Sequence, residues 1–383
     1  LLAIGAKFME MGEDRMYETI RFWTMSVAEY LDEYFESDII KTTKSGSGII
    51  GTALGVRSPG TAYVLLHHYM GEVDGNVGAW GVARGGMGAV SKAVAGAFQS
   101  FGGELRTESG VDTIMVKNGR TTGVALENGE EIAGRIVVSA MDVRRTFINC
   151  MDQSDLPEEF YNRVANFKAR GSSGKLNIAL DGMPLFSALP EGSDLYYGDL
   201  HFIDTMDRME RAYDDWKAGT WSKDPYIDCV VPTMTDPTMA PPGKHFMSCF
   251  VQYCPYEIEG RAWTSDEKEQ FAQTVINQIA DYSPNFKDLI LHYEVRTPED
   301  IEREIGITEG NIFHGELTMD QLLFNRPIPG YAQYRAPVNG LYMCGSSTHP
   351  GGGVMAAPGA NAAREILADL KRPNTVPENF GDD

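Results

Sequence analysis

YMCGSSTHPGGGVMAAPGANAAREIL, residues Tyr342 to Leu367, joins a short apolar strand to a helix through three consecutive glycines. Glycines surrender more conformational entropy on folding than other residues. A run of them is expected where the backbone approaches another group closely or needs positive φ. GLYMCG predicts an apolar strand, and ANAAREILADLK predicts a helix with Ala360, Ala363, Ile366, Leu367 and Leu370 on one side. What this backbone approaches has to be read from the rest of the chain.

At 383 residues the chain is long enough for two packed domains. With 43% hydrophobic and 23% charged residues it has the composition of an ordinary soluble globular protein, which excludes disordered and fibrous classes. The net charge is -21 and no run is rich in Lys or Arg, which argues against a nucleic-acid partner and against an anionic membrane surface. Cys150, Cys229, Cys249, Cys254 and Cys344 form no C-x-x-C pair. They are expected to be reduced thiols, with neither a disulfide frame nor a metal site. No apolar run approaches the roughly 18 residues of a membrane helix, so no integral membrane segment is expected, and no signal peptide is visible. The chain opens on Leu1 and not on Met.

Residues 8–36 place Met9, Tyr17, Ile20, Met25, Ala28, Leu31 and Phe35 at near-helical spacing, and residues 49–74 predict a helical pair broken at Ser58-Pro59-Gly60. The neighbouring His67 and His68 point to different helix faces, which disfavours a shared metal. Ala83 to Met141 opens on a Gly-rich turn and runs into a helix carrying Val90, Val94, Ala97 and Phe101. ELRT follows as a strand, then a meander turning at Asn118-Gly119 and Asn128-Gly129, and RIVVSA as a buried strand. From Asp142 to about Gln321 strands such as KLNIAL, YIDCVVP and HFMSCFVQY alternate with amphipathic helices. Met234, Met239, Phe246, Met247 and Tyr253 suggest an apolar cavity there.

ARGGMGAVSKAVAGAFQSFGGELRT, RIVVSAMDVRRTF and GLYMCGSSTHPGGGVMAAPGANAA together resemble the phytoene-dehydrogenase-related branch of the FAD-dependent amine-oxidase and carotenoid-desaturase superfamily. APPGKH, GNIFHGELTMDQ and RPIPGYAQYR are further matching stretches. The resemblance runs over nearly the whole chain. It implies an α/β plus α+β fold: a glutathione-reductase-like FAD-binding domain with a mixed-sheet and helical substrate domain. The divisions expected are 1–75 for the helical part of the cap, 76–145 for an FAD-binding segment, 146–325 for substrate binding and 326–383 for the C-terminal FAD-binding segment.

One departure is central. Such proteins begin with a strand, a G-x-G-x-x-G turn and a helix, followed by an acidic residue at the end of the next strand. Gly46, Gly48 and Gly51 have the spacing but lack the buried strand before them and the acidic residue beyond, so KTTKSGSGIIG is expected to be a flexible turn before a helix. The FAD-binding domain is therefore expected to be incomplete, with its first βαβ unit missing through N-terminal truncation.

The resemblance implies that the backbone of Gly85, Gly86 and Met87 forms a second flavin-contacting turn and that Val111 lies on the strand facing adenine. Gly345, Ser346, His349, Pro350, Gly351, Gly352, Gly353 and Val354 pass the ribityl chain and the flavin ring. Ser346 stands where many relatives carry an acid, and His349 is the candidate catalytic residue, with a backbone role as the alternative because Pro350 holds it extended. His314 lines the pocket or is a satisfied structural histidine. The implied cofactor is FAD, and the implied reaction is hydride transfer from an apolar, isoprenoid-like small-molecule substrate to flavin N5, by a dehydrogenase, desaturase or isomerase. The alternatives are a non-enzymatic interaction protein on a flavoprotein scaffold, or a fragment inactive for want of half its cofactor site. The expected location is the cytoplasm for a bacterial source and the mitochondrial matrix for a eukaryotic one. Oligomeric state is not readable.

Overall fold

The computed structural model describes residues 2–190 and 192–371. The chain divides into two compact units, the first made of Leu1–Tyr17, Arg106–Arg170 and Glu302–Asp383, the second of Glu18–Leu105 and Gly171–Ile301.

In the first unit the expected meander is present as three antiparallel strands, Val111–Lys117, Arg120–Leu126 and Glu131–Ala133. Its first turn works because Asn118 and Gly119 take φ of 52° and 72°, the mirror-image geometry whose twist matches the flanking strands. Val137–Ser139 pairs in parallel with Leu341–Met343, with Val138 opposite Tyr342. Parallel partners need a long crossover, and here about two hundred residues of chain separate them. Leu341 and Met343 join Val143, Phe147, Phe160, Val164 and Ile328 in one core. There Phe160 stands edge-on to both Phe147 and Tyr331, with ring centres 4.8 and 4.7 Å away. The C-terminal helix Ala357–Leu370 is tied down by Asp369, which receives Arg335 Nε at 2.8 Å and Tyr342 Oη at 2.9 Å.

The second unit is built on a five-stranded antiparallel sheet, in the order Ile290–Arg296, Ser173–Leu180, His245–Gln252, Tyr226–Val230, Leu200–His201. Period-two alternation sends Leu176, Ile178, Leu180, Met247, Cys249 and Val251 to one face, where Phe271, Val275 and Ile279 of the helix Ser265–Ala280 cover them. That helix starts at Ser265 because Thr264 and Glu267 cap each other's backbone N–H groups. A separate core gathers Val27, Ile49, Val56, Met209, Tyr226 and Tyr253 among short helices. Met247 and Tyr253 thus lie in two different packed cores and do not line one cavity.

Three local expectations fail for stated reasons. Gly46-Ser47-Gly48 is not a turn but part of the helix Asp38–Ile49. Its glycines serve packing: a Cβ on Gly46 would lie 2.0 Å from Tyr226 Oη, and one on Gly48 would lie 2.9 Å from Val27 Cβ. The helical pair expected over 49–74 is accordingly one helix ending at Ile49 and a second, Thr61–Tyr69. ELRT is not a strand, since no described strand pairs with its backbone. The predicted helix Gly88–Ser100 is present, yet none of its residues is buried.

Candidate flavin-loop site

The glycine-rich loop leaves the buried strand Leu341–Met343 through Cys344, whose N–H donates to Ser139 O at 2.8 Å. Gly345 then passes so close to the neighbouring strand's exit that a Cβ would sit 2.3 Å from Ala140 O. Its glycine is required by backbone meeting backbone. Ser346 is half-buried, and its carbonyl accepts Arg326 Nε at 3.1 Å and Nη2 at 2.8 Å. Ser347 is fully buried. Its hydroxyl accepts the Val143 N–H at 3.0 Å and donates to His314 O at 2.5 Å. His349 is half-buried, its carbonyl held by Tyr334 Oη at 2.8 Å, and half-buried Pro350 follows.

The three glycines do different things. Gly351 and Gly353 hold φ of 120° and 137°, which side chains resist. Gly352 is packed so that a Cβ would lie 2.3 Å from Phe313 Cδ1. Gly353 and Val354 are exposed. The helix Ala357–Leu370 begins at Ala356 with no side-chain cap, Pro358 in its first turn and no acidic residue there. Its first-turn dipole and amide donors are left for an electron-rich oxygen or nitrogen, as the pyrimidine end of a flavin supplies. This end of the first unit therefore fits the flavin part of FAD.

Arg326, which no reading of spacing singled out, holds the loop from behind. It is fully buried, and its guanidinium also donates to the carbonyls of Phe313, Gly315, Glu316 and Gln321 at 2.9 to 3.3 Å. The only sequence signal for it is its place at the head of RPIPGYAQYR. Val111, also in the first unit, opens the meander opposite Leu126, and its carbonyl faces Cys150 Sγ at 3.8 Å.

Gly85, Gly86 and Met87 belong to the second unit. Gly85 and Gly86 take φ of 84° and 80°, and the Gly85 N–H donates to Asp236 Oδ2 at 2.6 Å. The Thr238 hydroxyl first, and then this N–H, hold the Asp236 carboxyl below its usual range. Met87 is exposed and precedes the helix Gly88–Ser100. Asp236 was findable only as the turn-former of TDPT, where it binds the Thr238 N–H at 3.0 Å.

The chain is 40% identical over 357 residues to the mouse (Mus musculus) pyridine nucleotide-disulfide oxidoreductase domain-containing protein 2, covering 91% of this chain and 61% of that protein. It is 27% identical over 301 residues to the neurosporene-forming phytoene desaturase of Rhodobacter capsulatus, covering 76% and 54%. The chain thus spans little more than half to three fifths of the length of these relatives. Among solved structures, cyclohexylamine oxidase from Brevibacterium oxydans superposes with a TM-score of 0.51 at 16% identity, covering 92% of this chain and 69% of that one, and so shares the fold. No helix among the described residues is long and apolar enough to cross a membrane. The family model for flavin containing amine oxidoreductases matches residues 25–367. The chain therefore belongs to the flavin containing amine oxidoreductase family, which implies FAD as its cofactor.

Proposed function

We propose that the protein is an FAD-dependent oxidoreductase acting on an apolar, isoprenoid-like substrate, as a dehydrogenase, desaturase or isomerase. The observation that carries this reading is the uncapped N-terminus of Ala357–Leu370 at the end of the clamped 345–353 loop. When bound, FAD supplies a hydride acceptor for a C–C or C–N bond. The chain's own part is to position and to stabilise charge. Arg326 and Ser347 fix the loop, Gly351 and Gly353 let main-chain atoms approach the ring, and the helix N-terminus favours negative charge at the pyrimidine end. In this reading backbone at His349 contacts the flavin and Ser346 offers a hydroxyl to the ribityl chain. Gly85–Met87 remains, by itself, our candidate for a flavin-contacting turn in the second unit. The likeness to a phytoene desaturase supports the substrate class.

We also propose that the nucleotide-binding βαβ unit lies in chain outside the sequence above. The relatives are longer, Val138 on the parallel pair is 44% exposed, and Val94 and Phe98 on the helix Gly88–Ser100 are exposed as well. The divisions 1–75, 76–145, 146–325 and 326–383 remain our assignment of cap, FAD-binding, substrate-binding and FAD-binding segments. Five unpaired thiols support a reducing compartment, cytoplasm or mitochondrial matrix according to source.

The test is the visible spectrum of the full-length protein before and after anaerobic reduction. Flavin bands near roughly 370 and 450 nm that bleach are expected of a bound, redox-active flavin. A colourless protein that ignores added FAD refutes the reading. FAD affinity restored only by the longer chain supports the placement of the βαβ unit, and equal affinity of both chains refutes it.

A further inference from the structure

His314 sits in the first unit with φ of 55°, a left-handed conformation uncommon for a residue with a side chain. Every backbone polar group from Phe313 to Gly315 is engaged. Asn311 Oδ1 accepts the Phe313 and Gly315 N–H groups at 3.0 and 3.1 Å, and the His314 N–H reaches Asn311 O at 2.8 Å. On the carbonyl side, Arg326 Nη2 donates to Phe313 O at 2.9 Å and Gly315 O at 3.1 Å, and Ser347 Oγ donates to His314 O at 2.5 Å. Six hydrogen bonds thus hold this three-residue segment. Asn311 and Arg326 are themselves fully buried, which stiffens the frame.

The side chain so held carries an unsatisfied polar atom. His314 Nδ1 is buried and has no hydrogen-bond partner among the described residues. The residue as a whole is only partly covered. Asn or Gly would adopt this φ at lower cost. An unsatisfied polar atom on a side chain whose backbone is fixed by six hydrogen bonds points to a ligand that completes the group.

We propose that the imidazole of His314 is a hydrogen-bond partner of the bound flavin. This rests on the reading that the 345–354 loop faces the flavin, because Ser347 of that loop is bonded to the His314 carbonyl. Burial pushes the His314 pKa down, against a smaller upward pull from Asp142 and with a further push down from Arg326. The ring is therefore neutral near pH 7 and offers one donor and one acceptor, which suits a flavin edge bearing N–H and C=O groups.

The experiment compares wild type, His314→Asn and His314→Gly in the full-length protein, using FAD itself as the probe. Both substitutions tolerate positive φ, so the melting temperature of the FAD-free protein is expected not to fall. The Kd for FAD is expected to rise about threefold to tenfold, the value of one neutral hydrogen bond, and the visible band of the bound flavin to shift. Unchanged Kd and spectrum in both variants overturn the His314 contact while leaving the flavoprotein reading intact. A lowered melting temperature without FAD that accounts for the weaker binding also overturns it, in favour of a packing role. A wild type that binds no FAD refutes the flavoprotein reading and the His314 contact with it.

Discussion

Gly345→Ala tests whether the start of the flavin loop is held by backbone contact. The new Cβ would lie 2.3 Å from Ala140 O, 2.9 Å from Ala140 C and 3.2 Å from Ala140 Cα. All three atoms are main chain, so no rotamer change relieves the clash. Separation by about 1 Å is needed to restore ordinary contact, and the nearest bond to give way is Cys344 N–H to Ser139 O, now 2.8 Å. Overpacking costs about 1–3 kcal/mol and the hydrogen bond about 1 kcal/mol more, giving roughly 2–4 kcal/mol. Gly96→Ala is the control. It sits in the helix Gly88–Ser100 with nothing within 4 Å of its Cβ, and is expected to stabilise by about 0.5–1 kcal/mol where that helix contributes to the measured transition. Urea unfolding followed by circular dichroism reads both, as a change in midpoint at constant slope. If Gly345→Ala unfolds at the wild-type midpoint, the close approach of Gly345 to Ala140 is wrong.

Three further outcomes are expected. Arg326→Met leaves buried carbonyls of Phe313, Gly315, Glu316, Gln321 and Ser346 without their donor; it should destabilise by about 3–5 kcal/mol and weaken FAD binding in a titration. Retained stability and affinity would remove Arg326 from the loop's support. Phe271→Ala empties the interface between the five-stranded sheet and the helix Ser265–Ala280, costing about 3–5 kcal/mol in urea unfolding, and a loss below about 1 kcal/mol would mean the sheet face is covered otherwise. Glu267 has its pKa lowered from 4.5 to about 2, by Arg261 first and then by the Thr264 N–H and hydroxyl. A depressed carboxylate contributes stability that is present above pH about 4.5 and lost as pH falls toward about 2. Glu267→Gln should flatten the stability profile in that window, and an unchanged slope would show that the cap does not titrate with folding.

Much of the local structure was legible in the residues. Asn118-Gly119 specifies its hairpin because only a few residues take positive φ cheaply at both turn positions. Thr264 and Glu267 announce the start of the helix Ser265–Ala280 three residues apart, and the loop 345–353 is visible from its glycines. Gly46 and Gly48 misled because a glycine needed for a side chain packing from residue 226 looks, in sequence, like one needed for a turn. ELRT misled because a strand exists only with a partner, and β propensity does not supply one.

By itself the sequence determined the short-range choices: φ at turns, helix caps, the alternation of the sheet strands, and the motif order that marks the flavin family. Tertiary structure alone decided which glycines serve packing and which serve conformation, and it alone brought Asn311, Arg326 and Ser347 around His314. The reason is range. Capping, turn geometry and periodicity act over a few residues and leave a pattern, whereas a buried guanidinium chooses its carbonyls only after distant segments have packed.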